Sequence, residues 1–345
     1  MKTNAVVAHG PQNFRVEEFE LPDPELDQVL IDVLYGGICG SDLHYAKVGE
    51  NGPYRIQEPL VLGHEAVGYV SQIGTAVDDA PPVGTLVAIH PADPVAKAGE
   101  PAPKNLHLHQ GGTYLGSAAS LPHTQGAFRE QLAVNPNQLR VVPPGVRPKS
   151  AVLAEPLSVA MHGIDRARER IPGARVLVSG SGPIGCLAIA ALRTRGAAYI
   201  SATDIYPFPV EMAKTVGADR AVNIAKTELG PADFDVVVEC SGTAQAFLSA
   251  IDAVRPGGAI IQLGILPGEK LPTPIFKLLN REITFHGSHR FDNEMEEALN
   301  VLSQHPELES IITNVYRLTE AVEAFSTATD STKSSKVILQ IGEER

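Results

Sequence analysis

The sequence predicts an α/β protein with a β-rich first domain and a second domain built on a doubly wound parallel sheet. At 345 residues, the chain exceeds the roughly 250 to 300 residues at which a single hydrophobic core stops growing. Residues 1–150 consist of short apolar runs broken by glycine and proline, a pattern typical of β structure. Residues 151–289 alternate strand-like and helix-like runs, as successive βαβ units do. We expect residues 290–345 to complete the first domain.

The elements of the first domain follow from local periodicity. Apolar or alternating runs predict strands at 29–34, 66–73 and 86–89. Apolar residues recur at helical spacing between about 148 and 170, which predicts a helix leading into the second domain. The proline-rich segment 91–105 is predicted to be a loop.

The second domain begins with a predicted strand at 175–179 and a helix from 183 to about 195. Further strands are predicted at 199–203, 234–238, 259–263 and 283–285. Their nearly continuous apolar character indicates a parallel sheet covered on both faces. The last segment predicts helices at 292–302 and 318–328 and a strand at 336–341.

Charge and cysteine content exclude several classes of protein. The net charge of −12 argues against a nucleic-acid partner, which requires a basic surface. We find no apolar span of about 18 residues and no secretion signal. The three cysteines are far apart and odd in number, which does not fit a disulfide framework. We therefore expect a cytoplasmic enzyme with a small-molecule substrate and no membrane partner.

A thiol, an imidazole and two carboxylates predict a metal site. Cys39 lies in the run Gly-Gly-Ile-Cys-Gly-Ser-Asp-Leu-His-Tyr, His64 and Glu65 follow Gly63, and Glu155 comes much later. Zn²⁺ accepts these ligand types, and a catalytic zinc site keeps one position open by using three protein ligands. Each motif alone has a simpler explanation, since a lone cysteine is usually a small buried hydrophobe. Their combination predicts zinc.

The adjacent ligands His64 and Glu65 impose a condition on the backbone. Neighbouring residues in a regular strand point to opposite faces, so the two can share one ion only if the chain turns there. Gly63 permits such a turn because glycine adopts positive φ angles without strain. The alternative is that Glu155 supplies the carboxylate ligand.

A glycine-rich turn predicts dinucleotide binding. The run Gly-Ser-Gly-Pro-Ile-Gly at 180–185 follows a predicted strand and opens a predicted helix, whose N-terminal amides can face a pyrophosphate. Asp204 ends the next strand, where its carboxylate can accept hydrogen bonds from ribose hydroxyls and would repel a 2′-phosphate. This favours NAD over NADP. The predicted cofactor residues are Gly180, Gly182, Pro183, Ile184, Gly185, Asp204, Gly264, Ile265 and His289.

These motifs together resemble the zinc-dependent medium-chain dehydrogenases over almost the whole chain, and their polyol dehydrogenase branch fits best. The metal motifs are residues 36–45, Val-Leu-Gly-His-Glu at 61–65 and Glu-Pro-Leu-Ser-Val at 155–159. Within the branch, residues 115–118, 122–123, 126–128 and 287–291 resemble the L-idonate 5-dehydrogenases most, with sorbitol and xylitol dehydrogenases as near neighbours. The resemblance implies a GroES-like catalytic domain and a Rossmann NAD-binding domain.

The resemblance also implies roles for individual residues. Cys39, His64 and Glu65 would bind the catalytic zinc, and Glu155 would hold the zinc water or exchange with Glu65 as a ligand. Ser41 would take the proton of the substrate hydroxyl and pass it toward His44. Without the resemblance, these two residues would be interpreted as a capping hydroxyl and a surface imidazole.

One departure from the family concerns a second metal. Its members usually carry four closely spaced cysteines for a structural zinc in the loop that corresponds to about residues 91–110, and this loop has none. His107 and His109 alone are poor grounds for a closed zinc site. We therefore predict one catalytic zinc per chain, no structural zinc, and two histidines exposed on the loop.

Arg290 is the predicted anchor for substrate oxygens, because a guanidinium binds a carboxylate through paired hydrogen bonds. Tyr45, His123 and Phe291 are predicted to line the same pocket. A cation matters more in a chain of net charge −12 that must admit a sugar acid. We therefore predict NAD-linked oxidation of L-idonate to 5-keto-D-gluconate by a homodimer or homotetramer. Sorbitol or xylitol oxidation is the first alternative, and an inactive nucleotide-binding relative is the second.

Overall fold

The fold divides into two compact units. A computed structural model describes residues 2–20, 22–94, 105–109, 111–229, 233–266 and 270–345. Unit 1 comprises Met1–Glu155, Met295–Asp330 and Lys336–Arg345, and unit 2 comprises Pro156–Glu294 and Ser331–Ser335. The predicted boundaries, after residues 150 and 289, lie a few residues before the divisions at Glu155 and Glu294.

Unit 1 is rich in strands, as predicted. Its first part contains, in chain order, β1 (Lys2–Gly10), β2 (Asn13–Glu20), β3 (Val29–Gly37), α1 (Gly40–Val48), β4 (Glu50–Asn51), β5 (Tyr54–Arg55), β6 (Leu60–Val61), β7 (Glu65–Ile73), β8 (Leu86–Ile89), β9 (Ala92–Asp93), β10 (Thr113–Tyr114), β11 (Gln131–Val134), β12 (Leu139–Val141), α2 (Pro148–Ala151) and α3 (Ala154–Asp165), of which α3 continues into unit 2. The runs predicted as strands at 29–34, 66–73 and 86–89 lie in β3, β7 and β8.

Unit 2 alternates strands and helices. They are β13 (Arg175–Ser179), α4 (Pro183–Thr194), β14 (Tyr199–Asp204), α5 (Pro207–Thr215), β15 (Arg220–Asn223), β16 (Phe234–Glu239), α6 (Ala244–Ala253), β17 (Val254–Gln262), α7 (Ile275–Asn280) and β18 (Thr284–Gly287). The chain then returns to unit 1 with α8 (Met295–Gln304), β19 (Ile312–Arg317), α9 (Ala321–Ala328) and β20 (Lys336–Gln340).

The single helix predicted between 148 and 170 is two helices. Pro156 explains the break between α2 and α3, because a proline has no backbone N–H to donate and its ring collides with the carbonyl four residues earlier. It is tolerated in the first turn of α3, where that N–H has no helical partner. The break places Glu155 at the start of α3.

The main sheet of unit 1 has the strand order β12-β8-β7-β3-β20-β19, and β11 also pairs with β3. In its centre, β3 and β7 are antiparallel, with Gly37 opposite Glu65. On the other side of β3, Gly37 pairs with Ile338 of β20. The ends of three strands from distant parts of the chain therefore meet beside Cys39.

The sheet of unit 2 confirms the predicted doubly wound parallel fold. Its order is β15-β14-β13-β16-β17-β18, and all of its strand pairs are parallel. Numbered within the sheet, this is the order 3-2-1-4-5-6, with the reversal between β13 and β16. Dinucleotides bind at the carboxyl ends of the strands at this reversal.

No helix among the described residues combines the length and apolar character needed to cross a membrane.

Candidate metal centre and nucleotide-binding loops

Cys39 lies where β3 passes into α1. Its backbone N–H donates to Asp42 Oδ2 at 2.9 Å, which closes the first turn of the helix. The side chain is half-buried at the helix N-terminus, where unpaired backbone amides favour negative charge. The sequence predicted a metal ligand at Cys39 but not helix α1, which begins directly after it.

His64 and Glu65 lie on either side of the point where β7 begins. Gly63 has a φ of +95°, and a Cβ at this position would collide with the ring of Phe128, so only glycine fits. Because the chain turns before the strand starts at Glu65, the two side chains are not confined to opposite faces. The turn that the sequence required at Gly63 is confirmed.

The donor atoms of Cys39, His64 and Glu65 all lie within 4.8 Å of one another. Ligands about 2.0 to 2.3 Å from a tetrahedral ion are separated by about 3.3 to 3.8 Å, so small side-chain movements would bring the three onto one zinc. A thiolate, an imidazole and a carboxylate are ligands that zinc accepts. No second group of three such donors occurs within the described residues.

The electrostatics of this pocket also suit a cation. Burial alone lowers the pKa of His64, yet the neighbouring charges of Cys39 and Asp42 raise it to about 10. The surroundings therefore favour positive charge strongly enough to outweigh the cost of burying it. A divalent metal ion would supply such charge without a proton on the imidazole.

Glu65 also contacts a buried lysine that sequence reasoning missed. The ammonium of Lys336 lies 2.7 and 2.8 Å from the two carboxylate oxygens and donates to the carbonyl of Ile38 at 3.1 Å. Lys336 is 3 % exposed. Burial lowers its pKa, but the charge of Glu65 raises it further, so the net shift is upward. The only signal in the sequence is that this lysine directly precedes the apolar run Val-Ile-Leu in β20.

Glu155 is close to the three donors without joining their group. It is buried, and its Oε1 accepts a hydrogen bond from the hydroxyl of Tyr114 at 2.8 Å. Burial raises its pKa to about 7 despite the opposing charge of His64. The geometry thus favours Glu65 over Glu155 as the third ligand and leaves Glu155 hydrogen-bonded beside it.

Asp42 is a further carboxylate that sequence reasoning overlooked. It is fully buried, and it accepts hydrogen bonds from the N–H of Cys39 at 2.9 Å and of Gly63 at 3.0 Å. Its Oδ1 lies 3.9 Å from His64 Nδ1. One side chain therefore fixes both segments that carry the metal ligands, although burial raises its pKa.

The proposed proton-relay residues both lie on α1. Ser41 is half-buried in its first turn, and His44 is exposed one turn later. Side chains three positions apart are neighbours on a helix surface, so the exposed imidazole can connect the hydroxyl with solvent.

The predicted substrate contacts Tyr45 and His123 are occupied elsewhere. Tyr45 is buried in the core, and its hydroxyl accepts from the N–H of Ala118 at 3.1 Å. His123 Nε2 accepts from the N–H of Gln57 at 2.9 Å, and Nδ1 donates to the carbonyl of Ser120 at 2.7 Å. Both ring nitrogens of His123 therefore hold loops together, and these contacts do not support a role in substrate binding.

Arg290 and Phe291 belong to unit 2. Phe291 is 1 % exposed, which corresponds to a packing role rather than a polar contact with substrate. Arg290 is half-buried, with a φ of +54° that non-glycine residues rarely adopt. Such outliers concentrate at functional sites. Of the four predicted substrate residues, Arg290 keeps the strongest case.

The loop without cysteines differs from prediction at one histidine. Its base is a two-stranded ribbon in which β9 pairs with β10, and Asp93 there accepts from Asn135 Nδ2 at 2.5 Å. His107 lies in a short 3₁₀ turn and is 8 % exposed, so the prediction that it is exposed is wrong, whereas His109 is exposed. The loop sequence shows no apolar periodicity from which the 3₁₀ turn at Leu106–Leu108 could be predicted. Residues 95–104 and 110 of the loop lie outside the described residues.

The glycine-rich turn has the conformation that its motif predicts. Gly180 has a φ of +92°, and a side chain at Gly185 would collide with the carbonyl of Gly180. Helix α4 begins at Pro183 directly after Gly182, a position at which proline is favoured. Ile184, in the same first helical turn, is half-buried. The N-terminal amides of α4 can therefore receive an anionic group.

Asp204 ends β14, as predicted, and is fixed by two backbone groups. Oδ2 accepts from the N–H of Ser181 at 3.0 Å, and Oδ1 accepts from the N–H of Tyr206 at 3.0 Å. It is half-buried, so lone pairs remain accessible for a ribose hydroxyl. The remaining predicted cofactor residues also lie in unit 2, where Ile265 is 68 % exposed, His289 is exposed and Gly264 packs against the turn at Gly242.

Cys186 and Cys240 have the character of packing residues. Cys186 is fully buried in α4, and Cys240 is half-buried directly after β16. Burial raises the pKa of both thiols, that of Cys186 to about 12. Buried protonated thiols pack as small hydrophobes.

Comparison with known proteins identifies the families to which this chain is similar. Residues 25–144 match the family described as alcohol dehydrogenase GroES-like domain, and residues 183–304 match the family described as zinc-binding dehydrogenase. L-Idonate 5-dehydrogenase (NAD(P)(+)) of Escherichia coli is 33 % identical over 98 % of this chain and 99 % of its own length. Sorbitol dehydrogenase of Bacillus subtilis is 30 % identical over 94 % of this chain and 93 % of its own.

The fold has an equally extensive counterpart among solved structures. The crystal structure of L-idonate 5-dehydrogenase from Escherichia coli K-12 superimposes with a TM-score of 0.90 at 32 % sequence identity, covering 99 % of both chains. The likeness therefore extends over both units.

Proposed function

Since the chain belongs to the zinc-dependent medium-chain dehydrogenases, in their polyol dehydrogenase branch, we propose that it oxidises L-idonate to 5-keto-D-gluconate with NAD. The grouping of Cys39, His64 and Glu65 within 4.8 Å is the observation that carries the chemistry. For the substrate, the main support is the 33 % identity to an L-idonate 5-dehydrogenase over nearly the full length of both chains.

Each side chain of the metal centre has a defined task in this proposal. Bound zinc supplies a Lewis acid for a substrate hydroxyl. Cys39, His64 and Glu65 would hold the ion, while Glu155 keeps its hydrogen bond with Tyr114. The Ser41 hydroxyl accepts the proton of the substrate hydroxyl and gives its own proton to His44, whose exposed imidazole releases a proton to water.

Arg290 is proposed to bind the carboxylate of the sugar acid. A guanidinium offers paired donors to a carboxylate and keeps its charge at all relevant pH values. In a chain of net charge −12, an anionic substrate needs such a cation. The strained backbone at Arg290 supports a functional rather than an incidental position.

The preference for NAD over NADP is proposed from Asp204. Its carboxylate is fixed at the end of β14 by the amides of Ser181 and Tyr206. A fixed negative charge can accept bonds from the ribose hydroxyls of NAD and repels the 2′-phosphate of NADP.

A homodimer is proposed from the edge of the sheet in unit 2. Strand β18 is its last strand, and an unpaired edge can pair with that of a second copy. Exposed apolar side chains accompany this edge: Ile275, Phe276, Leu279 and Phe285. A tetramer remains the alternative. We also propose a reducing, cytoplasmic location, which would suit the three unpaired cysteines.

A neutral polyol is the second candidate substrate, because a sorbitol dehydrogenase is 30 % identical over 94 % of this chain. The deciding experiment offers L-idonate, D-gluconate, sorbitol and xylitol with NAD and with NADP and follows the absorbance of reduced nicotinamide. We expect the highest kcat/KM with L-idonate and NAD. In the Arg290→Gln variant, the loss should be larger for L-idonate than for sorbitol. Activity with neutral polyols alone would overturn the aldonate assignment.

Metal analysis separates the catalytic proposal from an inactive relative. We expect about one zinc per purified chain, held by Cys39, His64 and Glu65. About two would show that the cysteine-free loop binds metal after all. A chain that binds NAD but neither binds zinc nor turns over any substrate would be the inactive nucleotide-binding relative.

A further inference from the structure

The carboxylate of Glu239 occupies the reversal point of the sheet in unit 2. It is the last residue of β16, whose neighbours are β13, which leads into the glycine-rich turn, and β17. Its side chain is 0 % exposed. No ion pair to it occurs within the part of the chain that the structure describes, so this buried charge is stabilised by dipoles alone.

Four donors surround the carboxylate. Oε1 accepts from the backbone N–H and the hydroxyl of Ser241, at 2.7 and 2.5 Å. Oε2 accepts from the N–H of Gly242 at 3.1 Å and from Gln262 Nε2 at 2.5 Å. The backbone carbonyl of Glu239 accepts from Leu263 and Gly264, each at 2.9 Å. One residue thus fixes the loops that follow both β16 and β17.

The two loops pack so closely that their glycines leave no room for a side chain. Gly242 has a φ of +67°, and a side chain there would come within 2.6 Å of the carbonyl oxygen of Ile265. A side chain at Gly264 would collide with the N–H of Gly242 and with the Glu239 carboxylate. On the opposite side, a side chain at Gly180 would come within 2.8 Å of the N–H of Ser241. The glycine-rich turn and both loops therefore meet around Glu239.

The position of these loops indicates which half of a dinucleotide they receive. Asp204 at the end of β14 faces the adenosine ribose in the proposed function, so the adenosine half lies on the β14 side of the reversal. The nicotinamide half must then lie on the β16 and β17 side, over the loops that Glu239 holds. Gly264 and Ile265, which were predicted to bind cofactor, belong to one of them.

We propose that Glu239 is a positioning residue for the nicotinamide half of the cofactor. Its carboxylate holds residues 240–243 directly. It holds residues 263–265 through Gln262, whose Nε2 also donates to the carbonyl of Gly264 at 2.7 Å. Both loops thus have the conformation that receives the nicotinamide before the cofactor arrives. The proposal rests on the proposed NAD binding. It assigns Glu239 no contact with the reacting atoms.

The test uses the Glu239→Gln variant of the full chain. An amide has the shape of the carboxylate, but its NH₂ group would face an N–H donor and leave that donor unsatisfied. We expect the dissociation constant for NAD, measured by titration calorimetry, to rise about tenfold or more. The dissociation constant for 5′-AMP, which has only the adenosine half, should stay within about twofold.

A control separates positioning from simple loss of stability. Val237→Ala removes buried methyl groups from the same strand without touching the loops, so it should lower Tm while leaving the NAD dissociation constant within about twofold of the wild-type value. If Glu239→Gln lowers Tm and leaves NAD affinity unchanged, the positioning role is wrong. Equal losses for NAD and 5′-AMP would also overturn it. Absence of NAD binding in the wild-type chain would instead refute the proposed function.

Discussion

Two buried glutamates, one in each unit, are stabilised in opposite ways. Glu65 lies in the candidate metal centre, where its partner is a full positive charge, the ammonium of Lys336 at 2.7 and 2.8 Å. Glu239 lies among the nucleotide-binding loops, where its partners are four neutral N–H and O–H donors. Both side chains are almost completely inaccessible, at 1 and 0 % exposed.

The difference indicates what each carboxylate is for. Three of the four donors of Glu239 belong to the loop that follows β16, and the fourth, Gln262, ends β17. All four hydrogen bonds of this carboxylate therefore fix the shape of the surrounding backbone. Glu65 is held by one cation, which a metal ion can replace or supplement as counter-charge. In the proposed function, Glu65 can therefore exchange the ammonium of Lys336 for a zinc ion. The carboxylate of Glu239, by contrast, makes all four of its hydrogen bonds within the protein.

The most severe test of the metal centre is Cys39→Ala. We expect loss of bound zinc and of turnover, because two ligands are too few for a catalytic zinc site. The NAD dissociation constant should stay within about twofold, since the nucleotide-binding loops belong to the other unit. Zinc content by atomic absorption, with calorimetry for NAD, checks both expectations. Retained zinc would show that the three donors are not the metal ligands.

The Lys336→Met variant tests whether zinc can replace the ammonium of Lys336 as the partner of Glu65. Without the ammonium, a buried carboxylate lacks its partner, and breaking such pairs costs about 3 to 5 kcal/mol. Bound zinc would restore a positive charge, so the fall in Tm should be larger in EDTA than in zinc. The control, Lys277→Met, breaks an exposed pair with Asp252 and should change the free energy of unfolding by at most about 1 kcal/mol. Equal falls with and without zinc would exclude Glu65 as a ligand.

Much of the fold could be predicted from local patterns. The run at 86–89 is β8 residue for residue, and the glycine-rich turn lies between β13 and α4 as its motif required. Both patterns are short-range, so the sequence displays them directly. By contrast, the polar segment at β15, Arg-Ala-Val-Asn, forms a strand because β14 pairs with it, which local propensity does not reveal.

The donor group of the candidate metal centre could be predicted from the sequence, but its buried lysine could not. Cys39, His64 and Glu65 lie in short motifs that can be recognised in the sequence. Lys336 lies in no such motif and is 271 positions from Glu65. The ion pair between Lys336 and Glu65 depends on tertiary structure, which local sequence patterns do not show. For Tyr45 and His123 the sequence did not reveal that their polar atoms bind backbone groups, and their place in a substrate pocket stays a prediction.

Asp42→Asn should have a smaller effect, because it alters the support of the ligands rather than the ligands themselves. The amide retains one acceptor oxygen, so only one of the two amides, of Cys39 or Gly63, loses its partner. Changes to groups that orient metal ligands typically cost about 10- to 100-fold in metal affinity, which chelator competition can measure. Asp32→Asn, at an exposed ion pair with Arg345, is the matched control. A lower Tm with unchanged zinc affinity would limit Asp42 to a folding role.

The mildest change, Asp204→Asn, tests whether the nucleotide-binding loops discriminate by charge. The amide oxygen can still accept from Ser181 or Tyr206, so the turn should persist and the chain should fold. Loss of the negative charge removes repulsion of a 2′-phosphate, and the ratio of kcat/KM for NADP to that for NAD should rise about tenfold, equivalent to about 1.4 kcal/mol. Zinc content and its response to EDTA should not change, because the metal centre lies in the other unit. If the ratio is unchanged while both values fall together, Asp204 acts through the shape of the turn and another group selects the cofactor.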